Sequence, residues 1–433
     1  MIVQDTEPKT ASRIETALFG ATATMVLAAI VFPRSAAAMF AIPVLATFAL
    51  LAFDQTYTGL RFQYSPVAAW LLALAGWSML TAIWSPAPGG SLSKPLFLIG
   101  AVLGVALLSL MAQRSKFSLG RAATNGIVLA VLIGGVLIAI ESLTQQGISR
   151  FLMTQFPALR QGLEKHVLVT GDVVMAMSDA NLKRRCTVFT LLIVPVGLIL
   201  SQLDDRKRRI AGLAILAALT SVVFLFSGHQ SSKAAIAAAA VVFLLARVSR
   251  IWALRAVGAG WIFAVLLAIP LVMAAHSAGL HTSVKVPTSA QQRVVIWNTT
   301  AREILKSPMF CIGADATATV TLQKESSTEV KVRDGDYEAS TARHAHNAYL
   351  QVWYELGLAG VIIFLGSGLA ALMAIGRLPA AVQPYFLAQF AAFAALIAFS
   401  FSIWQLWFQA AIGLGAATLI VAGALRRQAS QTR

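Results

Sequence analysis

The sequence predicts an all-α integral membrane protein with about twelve transmembrane helices and two long polar loops. Of its 433 residues, 58% are hydrophobic and only 12% are charged, which is too apolar for a soluble globular protein of this length. The apolar residues also fall in runs that are long enough to cross about 30 Å of hydrocarbon at about 1.5 Å per residue. We therefore treat residues 1–433 as a single integral membrane domain.

Each predicted span is an apolar run with few or no charged residues. Five spans precede the first long loop, near 16–32, 36–53, 66–84, 95–111 and 122–142. Four follow that loop, near 186–203, 210–226, 234–246 and 252–275. Three follow the second long loop, near 357–375, 382–400 and 403–425. The first run leads to Ala36-Ala37-Ala38, which is similar to a signal-peptide cleavage site, but the apolar sequence resumes at once and favours a second span.

Basic residues predict the orientation of these spans. An even number of spans places both termini on one side. The short connections on that side carry most of the basic residues, namely Arg61, Arg114, Lys116, Arg121, Arg206, Lys207, Arg208, Arg209, Arg247, Arg250, Arg255, Arg377, Arg426 and Arg427. The opposite short connections carry only Arg34, Lys94 and Lys233. The positive-inside rule therefore places the termini in the cytoplasm and both long loops on the outer face, and the net charge of +16 indicates orientation, not nucleic-acid binding.

The two long loops differ in charge. The first, 144–185, predicts a short amphipathic helix followed by irregular chain, and its basic residues (Arg150, Arg160, Lys165, Lys183, Arg184, Arg185) outnumber its acids (Glu164, Asp172, Asp179). The positive-inside rule does not account for this excess, so it indicates either a binding role or a solvated surface. The second loop, 276–356, predicts amphipathic helices and contains QKESSTEVKVRDGDYEAS, which has no chemical signature.

The chain contains two cysteines, Cys186 and Cys311. Two cysteines cannot form a disulfide framework, and their spacing fits no zinc pattern. We interpret them as unrelated small residues, with a single bridge as the alternative if both face an oxidising compartment.

The second loop ends in HNAYLQVWYELGLAG, which begins at His346. As a helix, this stretch places His346 on one face with Tyr349, Leu350 and Trp353, while Glu355 points elsewhere. One interpretation is an interfacial helix whose aromatic side chains form a membrane belt. The other is a titratable group in a functional site.

Two more helix starts carry candidate cations. The stretch RVVIWNTTAREILKSP places Arg293 and Trp297 on one face of a helix that lies on the membrane, with Ile296, Thr300 and Ile304, and Ser307-Pro308 ends that helix. In FSGHQSSKAAI, Ser231, Ser232 and Lys233 begin a helix on the outer side, after His229. A helix N-terminus with a cation suits phosphate oxygens, and a simple cap with a snorkelling lysine is the alternative.

Together these motifs resemble the O-antigen ligase family, within the superfamily that also contains O-antigen polymerases. His346-Asn347, nine residues and then Gly357-Leu358-Ala359-Gly360 are similar to the ligase motif. Arg293 and Trp297, followed by Pro308 and Gly313, resemble the family's Arg-x-x-x-Trp segment, and Asn181 with Arg184 and Arg185 resembles an Asn-bearing segment before an earlier span. The resemblance covers most of residues 180–425.

One position departs from the family pattern, because Lys233 stands where the family usually has arginine. Lysine keeps the positive charge but lacks the bidentate fork that suits a diphosphate. Either Lys233 acts as a point charge, or the role belongs to Arg184 or Arg185.

The resemblance implies a GT-C-like glycosyltransferase in the bacterial inner membrane that transfers a glycan from undecaprenyl diphosphate to a sugar hydroxyl of lipid A-core at the periplasmic face. A neutral His346 suits the general base of an inverting transfer. The charge on the leaving diphosphate is expected to be stabilised by Arg293 and Lys233, with Arg184 or Arg185 as the alternative to Lys233. The residues expected to support the site are Asn347, Tyr349 and Trp297. Neither Asp-x-Asp nor a His/Cys ligand cluster occurs in the sequence, so we expect no metal, ATP or other cofactor.

Two alternatives are open at this point. A polymerase of the same superfamily would use similar residues with a second carrier-linked glycan as acceptor. A flippase or secondary transporter of lipid-linked glycan would place ionisable groups near the membrane midplane. The predicted spans are almost free of charge, with Glu141 and Asp54 near their ends, which disfavours transport.

Overall fold

The computed structural model describes residues 8–53, 65–114, 117–160, 167–327 and 344–431. Arg61, Lys116, Asp54, Glu164, Lys165 and most of the polar stretch 323–340 lie outside these ranges. The described residues form sixteen α-helices and one β-hairpin: α1 Pro8–Val31, α2 Ala36–Phe53, α3 Pro66–Leu80, α4 Pro88–Arg114, α5 Phe117–Leu143, α6 Gly147–Gln155, β1 Val167–Thr170, β2 Val173–Met177, α7 Ala180–Leu200, α8 Arg206–Phe226, α9 Gln230–Val248, α10 Arg250–Leu266, α11 Ala268–Ser277, α12 Thr288–Lys306, α13 Thr317–Ser327, α14 Ala348–Gly376, α15 Gln383–Phe399 and α16 Leu406–Gln431.

Within the described ranges, eight helices are long and apolar enough to cross a membrane. Their candidate membrane spans are Ser12–Val31, Pro66–Ile83, Pro88–Gln113, Phe117–Leu143, Arg206–Phe226, Gln230–Val248, Ala348–Gly376 and Leu406–Ala429. The bent pair α10 and α11 is a ninth candidate. The remaining predicted runs fall on α2 and α15, which are apolar and shorter, and on α7, whose start carries three basic residues. The prediction of an all-α multi-pass membrane protein is confirmed.

The predicted span 252–275 is not one straight helix. α10 and α11 meet at an angle of 71°, and the break lies at Leu267, three residues before Pro270. Proline cannot donate the backbone hydrogen bond that continues a helix, and its ring clashes with the preceding turn. Pro270 is therefore the physical reason for the bend.

The chain divides into two compact units. The first comprises Met1–Leu60, Gly104–Ala240 and Ala410–Arg433, and the second comprises Arg61–Leu103 and Val241–Gln409. In the first, α1 packs so closely on α5 that a Cβ at Gly126 would lie 2.4 Å from the carbonyl oxygen of Phe19. In the second, the indole of Trp261 donates to the carbonyl of Leu365, at 3.1 Å. Small residues permit this close packing of membrane helices.

The first polar loop contains the predicted helix, α6, but the expectation of irregular chain after it is wrong. β1 and β2 pair antiparallel, with Thr170 opposite Val173, and Gly171 occupies the turn with φ of +60°. Two valine-rich runs separated by Gly-Asp are a hairpin signal that the sequence contained. The loop therefore carries a folded element between α5 and α7.

Candidate functional site

His346 lies in front of a helix, not within one, so the helical face predicted for it is wrong. Its φ of +52° is left-handed, a conformation in which histidine is enriched among non-glycine residues. Asn347 is the N-cap of α14, and its side-chain oxygen accepts a hydrogen bond from the amide of Leu350 at 3.2 Å. The His-Asn pair is thus explained locally, because asparagine is a strong N-cap and histidine tolerates the turn before it.

The first turns of α14 are buried within the second unit. Tyr349 is 4% exposed, and its hydroxyl donates to the carbonyl of Ala394 on α15 at 3.0 Å. The indole of Trp353 donates to the carbonyl of Val265 at 2.8 Å. An interfacial belt helix would expose these side chains, so the interpretation of this stretch as a belt helix is wrong. The supporting role expected for Tyr349 stays a prediction.

The imidazole of His346 contacts the end of α15. Its Nδ1 lies 3.3 Å from the carbonyl oxygen of Ser400. A carbonyl can only accept, so this contact places the proton on Nδ1 and leaves Nε2 as an acceptor. Burial and, to a lesser extent, the charge of Arg293 lower the pKa of His346 below its ordinary value, while the Ser400 carbonyl opposes this shift. The ring is therefore neutral at pH 7 and able to accept a proton.

A second histidine, which the sequence analysis missed, lies beside the first. The ring centroids of His344 and His346 are 3.9 Å apart. Burial, then His346 and Arg293, lower the pKa of His344 to about 3. Its Nε2 is buried and has no hydrogen-bond partner among the described residues. The spacing His-x-His was the available signal, since two such side chains converge when the chain turns between them.

Arg293 and Trp297 lie on α12, which ends at Lys306 before Ser307 as predicted. Arg293 is partly buried, and burial lowers its pKa. The Trp297 ring lies 6.0 Å from that of Phe399, the residue before Ser400. The predicted face needs a correction, because the most buried positions of α12 are Val294, Asn298, Ala301 and Ile304. α12 is rotated relative to the prediction and leaves Arg293 at the edge of its buried face.

Gly357 interrupts α14 with φ of +62° and ψ of −168°. A side chain here would be strained, because L-residues disfavour this region. It would also collide with the neighbouring chain, since a Cβ would lie 2.9 Å from the carbonyl oxygen of Met309. The first glycine of the motif is therefore required both by its backbone conformation and by the close approach of the 309–313 segment.

The interruption at Gly357 releases carbonyl groups from the helix. Because the backbone departs from helical geometry, these carbonyls accept from other segments: Tyr354 from the amide of Ile312 at 3.3 Å, Glu355 from the amide of Gly313 at 3.1 Å, and Leu356 from the indole of Trp77 at 2.9 Å. The glycine motif thus attaches the helix that follows His346 to the segment that follows α12.

Glu355 is the centre of a buried polar network, a role that the sequence analysis missed. It is 1% exposed. Its carboxylate accepts from the hydroxyl of Thr317 at 2.5 Å, the amide of Asp315 at 3.1 Å, the side chain of Gln351 at 3.2 Å and the indole of Trp404. A buried carboxylate is tolerated only with such partners. A single acid between apolar residues was the signal.

This network connects three chain segments around His346. Gln351 also donates to the hydroxyl of Ser402 at 2.8 Å and accepts from the amide of Ile403 at 3.3 Å. The 402–404 segment follows Ser400, whose carbonyl contacts His346. Glu355 therefore acts on the site indirectly, by fixing the segment that orients the imidazole.

Arg185 belongs to the first unit, where it forms a buried ion pair. Its Nη1 lies 3.1 Å from Oε1 of Glu141, and the two side chains are 17% and 4% exposed. Its Nε donates to the carbonyl of Val31 at 2.9 Å. These contacts give Arg185 a structural role. They also explain how Glu141, an acid near the end of a predicted span, is tolerated in a buried position.

Arg184 lines a small hollow of about 20 Å³ in the same unit. Its Nη1 donates to the side chain of Asn181 at 3.0 Å, and both residues line the hollow with Arg34 and Ser178. Burial, then the charge of Arg34, lower the pKa of Arg184. Among the described lining residues, Arg34 and Arg184 are charged and no carboxylate is present. Arg184 therefore lacks the buried ion pair that Arg185 forms, and its proposed contact with a diphosphate stays a prediction.

Lys233 follows the predicted helix start, since α9 begins at Gln230. Its Nζ donates to the carbonyl of Leu225 at 3.3 Å. Ser231 and Ser232 are buried, and the hydroxyl of Ser232 lies 2.8 Å from Nδ1 of His229. Lys233, Arg184 and Arg185 belong to the first unit, and Arg293, His344 and His346 belong to the second.

Both cysteines are free, so the alternative of a Cys186–Cys311 bridge is wrong. Cys186 is fully buried in α7 and Cys311 is partly buried. Burial raises the pKa of the Cys311 thiol. The interpretation as two unrelated residues agrees with this arrangement.

A comparison with known families finds a match over the part of the chain that contains most of the residues described above. Residues 212–365 match the family model described as O-Antigen ligase. The chain carries an O-antigen ligase family domain. This domain contains Lys233, Arg293, His346 and the Gly357–Gly360 motif, while Arg184 and Arg185 precede it. No curated protein matches the chain. The family match confirms, over residues 212–365, the O-antigen ligase family resemblance predicted from the motifs.

Proposed function

We propose that this protein is an O-antigen ligase, which transfers a glycan from undecaprenyl diphosphate to a sugar hydroxyl of lipid A-core. The observation that carries the proposal is the state of His346. Its imidazole is partly buried, is oriented through Nδ1 by the Ser400 carbonyl, and has a pKa that burial and the charge of Arg293 lower. A general base must be neutral and have a free nitrogen at working pH. His346 meets both requirements at the first residue of the family's His-Asn motif.

The proposed reaction is a single inverting displacement. The acceptor hydroxyl gives its proton to Nε2 of His346 while its oxygen attacks the anomeric carbon of the glycan. The bond between that carbon and the diphosphate oxygen breaks, and undecaprenyl diphosphate leaves with the electron pair. One displacement inverts the anomeric configuration. The proton on His346 is then lost to solvent, which restores the base.

Cations are proposed to stabilise the charge that develops on the diphosphate. Arg293 is the first candidate, because its charge reaches both histidines. Arg184 and Lys233 are further candidates from the first unit, and the ion pair with Glu141 makes Arg185 a structural residue in this scheme. Fixed cations in a site of low dielectric stabilise such charge strongly. We propose that no metal or nucleotide takes part, so that transfer is unchanged by EDTA.

The site is proposed to face the periplasm from the bacterial inner membrane. The support is the distribution of basic residues, which places both termini in the cytoplasm by the positive-inside rule. The donor lipid and the acceptor, lipid A-core, would both be membrane partners at that face. Labelling of a cysteine introduced in place of Met309, which is 71% exposed, tests this orientation with reagents that do not cross the membrane.

Reconstitution tests the function. Purified protein in proteoliposomes receives a carrier-linked glycan and either lipid A-core or a second carrier-linked glycan as acceptor. Glycan on lipid A-core is the expected product, and the His346→Ala variant is expected to yield none. Longer carrier-linked chains without core attachment would instead indicate a polymerase. Movement of intact lipid-linked glycan without any new covalent product would indicate a transporter.

A further inference from the structure

The segment between α5 and α7 exposes large apolar side chains. They come from α6, the following turn at Pro157–Arg160 and the hairpin, and their exposed fractions lie between 40% and 63%; this apolar set is Phe151, Leu152, Phe156, Leu159, Leu168 and Met175. Soluble surfaces seldom expose so many large apolar side chains together. The set therefore requires a partner that the described part of the chain does not provide.

The apolar set belongs to one folded body, which comprises the described residues 147–160 and 167–177 and is named the 147–177 body. The guanidinium of Arg150 donates to the carbonyl of Met175 at 2.9 Å, which attaches α6 to β2. Arg160 donates to the carbonyl of Asp172 at 2.6 Å, which attaches the 157–160 turn to the hairpin. The amide of Val174 donates to Thr154 at 3.0 Å. Since these contacts join the three elements, the exposed side chains are held in fixed positions on one folded body.

The 147–177 body follows directly after α5, which carries a stripe of exposed apolar side chains along one face. α5 contains 27 residues and is about 40 Å long, so it extends beyond about 30 Å of hydrocarbon. Its exposed apolar residues are spaced by four and three along one face: Leu129, Ile133, Val136, Ile140 and Leu143. Only residues 144–146 separate this stripe from α6. The hydrogen bond between Glu141 and Ser149 fixes α6 to the end of α5.

The charge of the loop agrees with an anionic lipid surface. Arg34 and Arg184 line one hollow beside the base of the hairpin, and Arg150 and Arg160 lie within the body itself. The orientation rule does not account for cations on the side proposed to be periplasmic. Basic residues next to exposed apolar residues are typical of segments that lie in the interface of an anionic bilayer.

We infer that the 147–177 body docks on the lipid leaflet, with the apolar set inserted among the headgroups and the upper acyl chains. The partner is the bilayer that surrounds α5, because the exposed stripe of α5 continues into the body. The inference is independent of the glycosyl transfer. If Arg184 binds the carrier diphosphate, a point that rests on the proposed function, docking would keep the start of α7 at the depth of the lipid headgroups.

Spin-label accessibility measures this docking in the full-length protein. In a Cys311→Ser background, where Cys186 is buried, a nitroxide is attached at Phe151→Cys or Leu168→Cys in nanodiscs with anionic lipid. Collision with oxygen, which concentrates in lipid, is compared with collision with a water-soluble nickel chelate. Ile133→Cys on the α5 stripe is the lipid reference, and Lys207→Cys, at the exposed start of α8, is the aqueous reference.

We expect the labels at Phe151→Cys and Leu168→Cys to collide more with oxygen than with the nickel chelate, as the label at Ile133→Cys does. Nickel-dominated values like those of Lys207→Cys would overturn the inference. Protection that disappears when labelled protein is diluted with unlabelled protein, or in nanodiscs that hold one copy, would also overturn it, since the occupant would then be a second copy. Phe156→Cys provides a second measurement from the turn if one of the other variants does not fold.

Discussion

Two helices of this protein, α9 and α14, each follow a histidine, and the two histidines make different contacts. Before α9, Nδ1 of His229 lies 2.8 Å from the hydroxyl of Ser232, so the imidazole contacts the first turn of its own helix. Before α14, Asn347 caps the helix. The imidazole of His346 is left to contact Ser400 and His344, which belong to other segments. The two imidazoles therefore differ in their contacts, because the cap of α14 is Asn347 and the contact of His229 is with Ser232 in the helix that follows it.

Burial differs between the two positions, because His229 is 4% exposed whereas His346 is only partly buried. The neighbouring cations also differ. Lys233 donates back to the preceding helix, whereas the charge of Arg293 acts on the histidine pair. A histidine at a helix start is therefore informative only together with its cap and its nearest cation.

Replacing the two histidines should give the largest difference. His346→Ala is expected to lower the transfer rate by about 10²- to 10⁴-fold, the range for loss of a general base, with unchanged membrane insertion. His229→Ala, the matched control, should retain most of the rate, because its imidazole supports a helix start. Product formation in proteoliposomes measures both. Equal rates in the two variants would contradict the distinction drawn between them.

Exchanging the cations should sharpen the comparison. Arg293→Lys is expected to lower the rate by about 10²-fold if the planar guanidinium contacts the diphosphate with two hydrogen bonds. Lys233→Arg, which restores the residue usual in the family, should preserve it. The measurement is the rate at saturating donor. An unchanged rate in Arg293→Lys would show that Arg293 supplies charge without bidentate contact.

Of the two helix starts, at α9 and α14, the α14 start contacts the buried carboxylate of Glu355, so Glu355→Gln should affect that helix start specifically. The side-chain amide replaces one carboxylate oxygen by a donor group, which would face either the Thr317 hydroxyl or the Trp404 indole and the Asp315 amide, and an unsatisfied buried group costs about 1–3 kcal/mol. We expect a lower unfolding temperature and a lower kcat with little change in KM. Glu303→Gln is the control, because Glu303 pairs with exposed Lys306, and such pairs contribute about 0–1 kcal/mol. Equal effects would refute the bracing role.

The polar side chains in the first turns of the two helices should differ in function. Asn347→Ala removes the N-cap of α14 and is expected to cost about 1 kcal/mol. Ser232→Ala removes the hydroxyl that contacts His229 in the first turn of α9, and is expected to cost about 1 kcal/mol for the lost hydrogen bond. Only Asn347→Ala should also lower the transfer rate, because Asn347 adjoins His346. Asn347→Asp should restore the cap and most of the rate. Thermal unfolding and transfer are measured on the same preparations, and a stable but inactive Asn347→Asp would point to a direct role of the amide.

The smallest effect concerns pH. Because burial and Arg293 lower the pKa of His346, the acid limb of kcat/KM should lie below 6.5. Arg293→Gln removes a charge that disfavours protonation, so the pKa of His346 should rise and the limb should move to higher pH. His344 and His346 both have a lowered pKa in the folded protein, so they bind fewer protons in the folded state than in the unfolded state. The free energy of unfolding should therefore fall as the pH drops from 6.5 toward about 3, the pKa of His344. A limb that does not move would exclude this coupling.

Several features of the fold were predictable because they depend on nearby residues. Apolar runs located the helices, Ser307-Pro308 located the end of α12, and the His-Asn and glycine spacing located the family domain. The hairpin was missed although its turn residues were visible, because two short strands signal weakly beside long apolar runs. The single span at 252–275 was wrong for a local reason, since Pro270 alone accounts for the bend.

The sequence by itself determined the class of protein, the helix positions and the residues of the family motif. These follow from composition and from short periodic patterns, which act over one or two helical turns. Only the tertiary structure decided which residues surround His346. The Ser400 carbonyl is 54 residues away along the chain, Arg293 lies on another helix, and Glu355 acts through Gln351 and Ser402. Contacts of this kind depend on how distant segments pack, and no local pattern specifies them.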